Sequence, residues 1–449
     1  MQELSVAGLL GVMEMLRPAF TQPSFGNFVA LTLGWLLTPG RHAVTAALVV
    51  TGISGRRHHS SFHRFFSLAR WCPDAMGRRL FDIIVKLAPT DSPIPIAVDD
   101  TLTPKKGDHI DGIGAHIDPV RSTRKHRILC FGHVWVVLAV VIRVPLCQRP
   151  WALPVLLRLY RTRTSCEKKR LPYKKKTELA REMLDVFAGW VGERRVEIVA
   201  DSAYCNSTVT SGLPKHLVLF GAMRPDAALT EPPAPQGKKQ GGRPRVRGQR
   251  LATPEQVYQS AQYGWYADKL VLYRREQWVT YQEWTAQWYR ACGAQLLKIV
   301  LSRLESGRIP FRVFFCTDPT VSAQYLVQRF ASRWAIEVTF FDLKQSLGFA
   351  DSQAWTRLAV ERTAPFVAFL FSLVVLWYVS CARGSALDFY PVRPWYPHKV
   401  APSFADMLGA AQRAALLSGV FDPATNSNNL HNPFIPGAAP RDCARDGAP

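Results

Sequence analysis

Two short apolar runs in this 449-residue chain each end in aspartate, and a third carboxylate follows in a later helical stretch. "IPIAV" (94–98) runs into Asp99 and Asp100, "RVEIVADSAY" carries Asp201, and "RWAIEVTFFDLKQSLGF" (333–349) holds Glu337 between Arg333 and Lys344. Cleavage of a phosphodiester gains from two divalent cations that clamp the attacking and leaving oxygens. Mg²⁺ asks for only a few carboxylates, with water and substrate phosphate completing its shell. Aspartates at strand ends and a glutamate on an adjoining helix can converge on such a pair. Their separations, 102 residues (201 minus 99) and 136 residues (337 minus 201), mean that only a tertiary fold can bring them together.

Phe330, Arg333, Glu337 and Lys344 sit at offsets 0, 3, 7 and 14, which a 3.6-residue repeat places on one helix face. Arginine grips a phosphate with its planar fork and lysine as a point charge. Taken alone, an exposed Arg333–Glu337 ion pair is the simpler reading of this face. Alternation along "IAVDD" sends Asp99 and Asp100 to opposite sides of a strand, so only one of them enters a common site. Lys105 and Lys106 lie just beyond and suit either a phosphate or a plain solvated loop.

Together these residues resemble insertion-sequence transposases of the DDE superfamily, whose core is ribonuclease-H-like. One group of that family carries Tyr-x2-Arg-x3-Glu-x6-Lys on its glutamate helix. Here the spacing is intact, with Phe330 in place of the tyrosine and its hydroxyl missing. "IAVDDTLTPKKG" is similar to the family's first catalytic strand and "EIVADSAYCN" to its second. The likeness runs from about 30 to 415 and takes in "RRHHSSFHRFF", "GHVWVVLAVV", a Gly/Arg-rich linker and "RPWYPHKVAPSFADML".

The resemblance implies that Asp99, Asp201 and Glu337 hold two Mg²⁺ ions, with Mn²⁺ able to substitute and Asp100 the fallback for Asp99. It implies Arg333 and Lys344 on the DNA backbone. The expected reaction is attack by metal-activated water at a transposon end, then attack of the freed 3′-OH on target DNA. The expected partners are double-stranded DNA, as terminal repeats and as target, and further copies of the chain in a homodimer or higher multimer. A nuclease without strand transfer and a catalytically dead DNA-binding protein are the competing readings.

Composition agrees with a polyanionic partner: 56 Lys and Arg against 34 Asp and Glu give +22 and a pI near 9.9. "APFVAFLFSLVVLWYVS" (364–380) is the one long uncharged apolar stretch. It is shorter than the roughly 20 residues of a span and is expected to be a buried helix, not a membrane segment. The start lacks the basic n-region of a signal peptide, so a cytoplasmic, nucleoid-associated protein is expected. Nine cysteines without a C-x-x-C pair read as free thiols, and His59 and His63, four apart, as a surface pair.

The elements expected to position these groups form an α/β fold: a ribonuclease-H-like mixed sheet flanked by helices, with a β-rich insertion and an N-terminal helical domain. Residues 1–90 are the helical, DNA-end-binding part, 91–206 and 310–382 the two parts of the core, and 207–309 the insertion with its basic linker. Residues 383–420 form a C-terminal helical segment and 421–449 a disordered tail. Thr177 is expected to cap a helix running to about Val191, and a single long helix to carry the Phe330–Lys344 face. The aromatics crowded between 263 and 289 read first as a subdomain core and second as a stacking surface for a displaced base. His116 and His133 read as structural.

Overall fold

The computed structural model describes residues 6–417 except 108, 119, 124, 145, 146, 148, 235–244, 261–263, 305–309, 383–393 and 400. The tail at 421–449 and half of the basic linker, residues 235–244, therefore lie outside the described residues. Five helices open the chain: α1 (Val6–Glu14), α2 (Gln22–Leu37), α3 (Val44–Val50), α4 (Ser60–Ser67) and α5 (Pro73–Ile84). Phe62, Phe65 and Phe66 of the basic, aromatic segment turn inward while His59 and His63 stay outside with ring centroids 5.8 Å apart. These helices share one hydrophobic cluster with the rest of the chain, so 90 is a boundary between segments and not between cores.

The core sheet follows, with β1 (Ile94–Pro104), β2 (Gly114–Ile117), β3 (Leu129–Arg143) and β4 (Pro150–Tyr160). After α6 (Arg163–Lys169) and α7 (Lys176–Val191) come β5 (Val196–Ala200), the single turn α8 (Ser207–Thr210) and β6 (Leu217–Met223). β3 pairs antiparallel with β1 and β4, whereas β1, β5 and β6 run parallel. This mixed five-stranded order, β4-β3-β1-β5-β6, is the ribonuclease-H-like sheet that was expected. Thr177 lies inside the first turn of α7, and Lys175 is its N-cap, its backbone N–H donating to Glu178 Oε2 at 2.6 Å.

The insertion extends the same sheet. After α9 (Pro254–Gln259), β7 (Tyr266–Leu272) and β8 (Arg275–Gln287) form a hairpin; then come α10 (Tyr289–Cys292), β9 (Leu296–Leu304) and β10 (Arg312–Cys316). β10 pairs antiparallel with β6, and β9, β8 and β7 continue outward in an antiparallel run. Within it Tyr281 is buried but Tyr266, Tyr273 and Trp278 are exposed, so the expected aromatic core is only partly a core.

The chain then folds into α11 (Ala323–Ala331), α12 (Trp334–Ser346), α13 (Arg357–Ala382) and α14 (Phe404–Leu417). The single long helix expected over Phe330–Lys344 is broken at 332–333. Ser332 Oγ donates to the Arg329 carbonyl at 2.6 Å, and Arg333 N–H donates to Phe330 O, an i→i−3 bond that tightens the turn. α13 is long and apolar enough to cross a membrane, yet 94% of its apolar window is buried within the protein. Close to α13, Gly77 of α5 lets that helix meet β4, since a Cβ there would lie 1.9 Å from the Val155 carbonyl oxygen. The eight described cysteines are all free.

Candidate active site

The register of β1 decides how its two aspartates are used. Asp99 stands opposite Val137 and Asp100 opposite Val136, so their side chains leave the sheet on opposite faces. α12 covers the first face: Arg333 Nη1 donates to Asp99 Oδ2 at 2.7 Å and Nη2 to Glu337 Oε1 at 2.5 Å. β5 runs parallel to β1 with Val98 beside Ala200, which brings Asp201, the next residue, to the same end of the sheet. Its charge reaches both Asp99 and Arg333. Asp99 and Glu337 thus meet on one guanidinium, and Asp201, whose Oδ1 accepts from the Ser202 N–H at 2.7 Å, lies within its electrostatic reach.

The electrostatics follow from crowding. Burial pushes the Asp99 carboxyl up to about 6, and Arg333 opposes this while Asp100 and Asp201 add to it. Burial alone weakens the hold of Arg333 on its proton, but Asp99, Glu337 and Asp201 more than offset it and the pKa is raised. Asp99 and Arg333 are 17% and 18% exposed, so this is a part-buried cluster and not the exposed Arg333–Glu337 ion pair that the helix face taken alone favours.

The donor set is three carboxylates with no thiolate or imidazole among them, which suits a hard divalent cation such as Mg²⁺ or Mn²⁺. As the side chains stand, Asp99 and Glu337 spend oxygens on Arg333. Among the described residues no three His, Cys, Asp or Glu groups are arranged ready to hold a metal. The donor chemistry therefore fits, and loading requires Arg333 to release its two carboxylates.

The other face is closed. Asp100 Oδ2 accepts from Lys176 Nζ at 2.7 Å and Oδ1 accepts from Tyr204 O–H at 2.6 Å. Burial and the neighbouring Asp100 raise the Tyr204 pKa, so the phenol remains a donor. Tyr204 lies in the 3₁₀ turn that begins directly after Asp201, and its N–H donates to the Asp201 carbonyl at 2.9 Å, so this bond ties the middle of β1 to the turn that Asp201 opens. Nothing in the sequence marked Lys176 or Tyr204 in advance. His116 shares this side, and burial, then Lys176, lowers its pKa. His133 is structural: it is 2% exposed, its Nε2 lies 2.9 Å from Asp111 O, and burial pushes it down to about 4.

The remaining cationic candidates divide. Lys105 Nζ donates to the carbonyls of Ala350 and Ser352 at 2.8 Å each, and burial lowers it to about 8. It fastens the turn after α12 to β1, so the reading of Lys105 as a phosphate ligand gives way to a positioning contact. Lys106 is exposed. Lys344, two turns beyond Glu337, is half-buried with no ion-pair partner among the described residues; burial lowers its pKa and Asp118 opposes this. α12 ends just after it at Gly348 (φ 60°), where a Cβ would meet Asp351 and His42.

Phe330 is buried against Phe314, with ring centroids 4.7 Å apart, and Arg333 lies 5.9 Å from its ring centroid. Beside it a cleft of about 490 Å³ is lined by Tyr273, Arg312, Phe330, Ala331, Arg333 and Trp334. Trp334 and Tyr273 are about half exposed and meet edge to face at 6.3 Å. Trp334 was not singled out from the sequence, although its place next to Arg333 was the available signal.

A mixed sheet that gathers an aspartate from the middle of β1 and one just past β5 opposite a helix glutamate defines a ribonuclease-H-like core of the nuclease class. The chain belongs to the DDE superfamily endonuclease family, whose model matches residues 16–290 of the 449. The match spans Asp99 and Asp201 and stops before Glu337. A piggyBac transposase, solved by cryo-EM as a synaptic complex with hairpin DNA, is similar at 10% identity and a TM-score of 0.44, over 98% of this chain and 84% of that one. No curated protein matches.

Proposed function

We propose that this endonuclease is a DNA transposase that cuts at the ends of its own element and joins the freed 3′-OH to target DNA. The observation that carries the reading is the bonding of Asp99 and Glu337 to Arg333 with Asp201 within electrostatic reach, and carboxylates alone as candidate donors. Two divalent cations, when bound, polarise the scissile phosphate and lower the pKa of the attacking water. Asp99 and Glu337 would hold them after Arg333 lets go, with Asp201 the third ligand.

The guanidinium freed in this exchange is beside the site with its donors unspent, which suits it to a phosphate oxygen of the substrate. Lys344, without an ion-pair partner on the same helix, suits a second phosphate, and Lys106 a third. The formal charge of +22 favours DNA over neutral substrates, and a cut at two ends favours a dimer or higher multimer on the DNA.

The test uses purified full-length chain, duplexes made from the DNA that flanks its gene, and a supercoiled target plasmid. With Mg²⁺ the wild type cuts the duplex and joins the cut 3′ end to the plasmid. Glu337→Ala lowers both steps on the order of 10³-fold while duplex binding stays within a few-fold. Cutting without joining supports the nuclease reading instead, and normal cutting by Glu337→Ala removes the carboxylate assignment.

A further inference from the structure

The β2–β3 hairpin carries an apolar ridge that nothing in the described fold covers. Ile117 pairs with Leu129 and Ala115 with Phe131, so all four side chains share one face. Ile117, Leu129 and Phe131 are 50%, 65% and 63% exposed, and Val120 in the connecting turn is 90% exposed. A contiguous ridge of this kind marks an interaction surface. Leu129 and Phe131 have the same parity along β3 as Val137, the residue opposite Asp99, so the ridge continues the sheet face on which Asp99 stands.

The rim of the ridge is cationic. Arg121, Lys125 and Arg127 are exposed, and the run from Val120 to Arg127 contains no acidic residue. Asp118, at the base of the turn, is buried, its Oδ1 accepting from the N–H groups of Val120 and Arg121 at 2.9 and 3.1 Å and its Oδ2 3.8 Å from Arg121 Nε, so it offsets one of these charges in part while Lys125 and Arg127 have no acid beside them in the turn. A second copy of the chain seated here by a two-fold axis would set these cations against one another. Duplex DNA is the complementary occupant: apolar side chains insert at base steps from the minor groove while neighbouring cations take the phosphates.

We infer that the β2–β3 hairpin is a second DNA-contacting element, with Leu129 and Phe131 wedged against the minor groove and Arg121, Lys125 and Arg127 on the backbone. Phe131 and Leu129 lie six and eight positions along β3 from Val137. At about 3.3 Å per residue that is roughly 20 and 26 Å from Asp99, or about six to eight base pairs of duplex at 3.4 Å each. The position of the wedge relative to the cut rests on the DNA-cutting reading above, whereas duplex binding by the hairpin does not.

Two variants of exposed residues, both made in the full-length Glu337→Gln chain, test it on a random-sequence duplex. Arg121→Ala/Lys125→Ala/Arg127→Ala is expected to reduce the slope of log K against log salt by about two to three. Leu129→Ser/Phe131→Ser is expected to keep the slope but abolish duplex bending, read by energy transfer between the duplex ends. In the chain with Glu337 intact, on the DNA end that it cuts, protection from hydroxyl radicals six to eight base pairs from the cut is expected to vanish in the serine pair. Unchanged slope and bending in both variants would overturn the proposal. So would a smaller oligomer for the DNA-free serine pair, since that marks a protein interface. If the unaltered chain cuts nothing while the variants still lose slope and bending, the cutting reading fails and the hairpin assignment stands.

Discussion

Asp99 and Asp100 are neighbours of the same type on one strand, and the two faces of the sheet give them opposite employment. On the Asp100 side each carboxylate oxygen has a donor, one from Lys176 and one from Tyr204, and the network is complete. On the Asp99 side two carboxylates share a single guanidinium with the charge of Asp201 nearby, and burial holds Asp99 near 6. The complete network gains from staying as it is. The crowded one has excess negative charge that a cation relieves, which is the condition of a site built to bind.

The largest expected contrast comes from removing each charge in turn. Asp99→Asn should lower cleavage on the order of 10³-fold. Asp100→Asn should cost about 1–2 kcal/mol of stability through its two lost partners and leave cleavage within about tenfold. Denaturant titrations beside rate measurements check both, and equal rate losses would dissolve the distinction between the faces.

The raised pKa of Asp99 gives the next effect. A carboxyl raised in the folded state contributes stability that is whole below its ordinary value of 3.8 and is lost as pH climbs through about 6. Metal-free wild type should therefore forfeit about 2 kcal/mol between pH 4 and pH 7 that Asp99→Asn does not. Unfolding free energies at the two pH values would show the difference, and parallel pH curves would mean Asp99 is not desolvated.

Arg333→Ala should cost about 2 kcal/mol in the absence of metal, because it leaves part-buried carboxylates unpaired. Addition of Mg²⁺ should restore much of this loss, since binding to the folded state alone stabilises by mass action. A melting temperature that Mg²⁺ does not move would show that the guanidinium and the cation do not share a place. Tyr204→Phe should have the smallest effect, about 1 kcal/mol, with a modest rise in the Mg²⁺ concentration needed for half-maximal cleavage as Asp201 loses its brace.

Much of this site was legible before any coordinates. Asp201 does follow the end of its strand and the helix face of Glu337 follows from spacing, but the stop expected at Asp99 does not occur: β1 runs on to Pro104, because Thr101–Pro104 keep pairing with β3, so Asp99 stands in mid-strand. The choice between Asp99 and Asp100 was not legible, because alternation separates them without saying which side α12 covers. β4 was missed because Pro150 and Pro154 interrupt its pattern. Proline is tolerated there at the outer edge of the core, where the register shifts by one residue opposite Leu138 and Ala139. β6 falls in the stretch 207–309 assigned to the insertion, although it pairs parallel with β5 as part of the core sheet, and the break at Ser332 depends on a side-chain bond that no periodicity records. The roles of Lys105, Lys176 and Tyr204 are tertiary, each made by a partner far away in the chain.

Mn²⁺ binding, read by electron paramagnetic resonance on the purified DNA-free chain at pH 7.5, tests the central claim most directly. The account predicts that wild type and Asp100→Asn take up Mn²⁺ alike, while Asp99→Asn and Glu337→Gln weaken binding by at least about tenfold. Uptake lost in Asp100→Asn and kept in Asp99→Asn would contradict it.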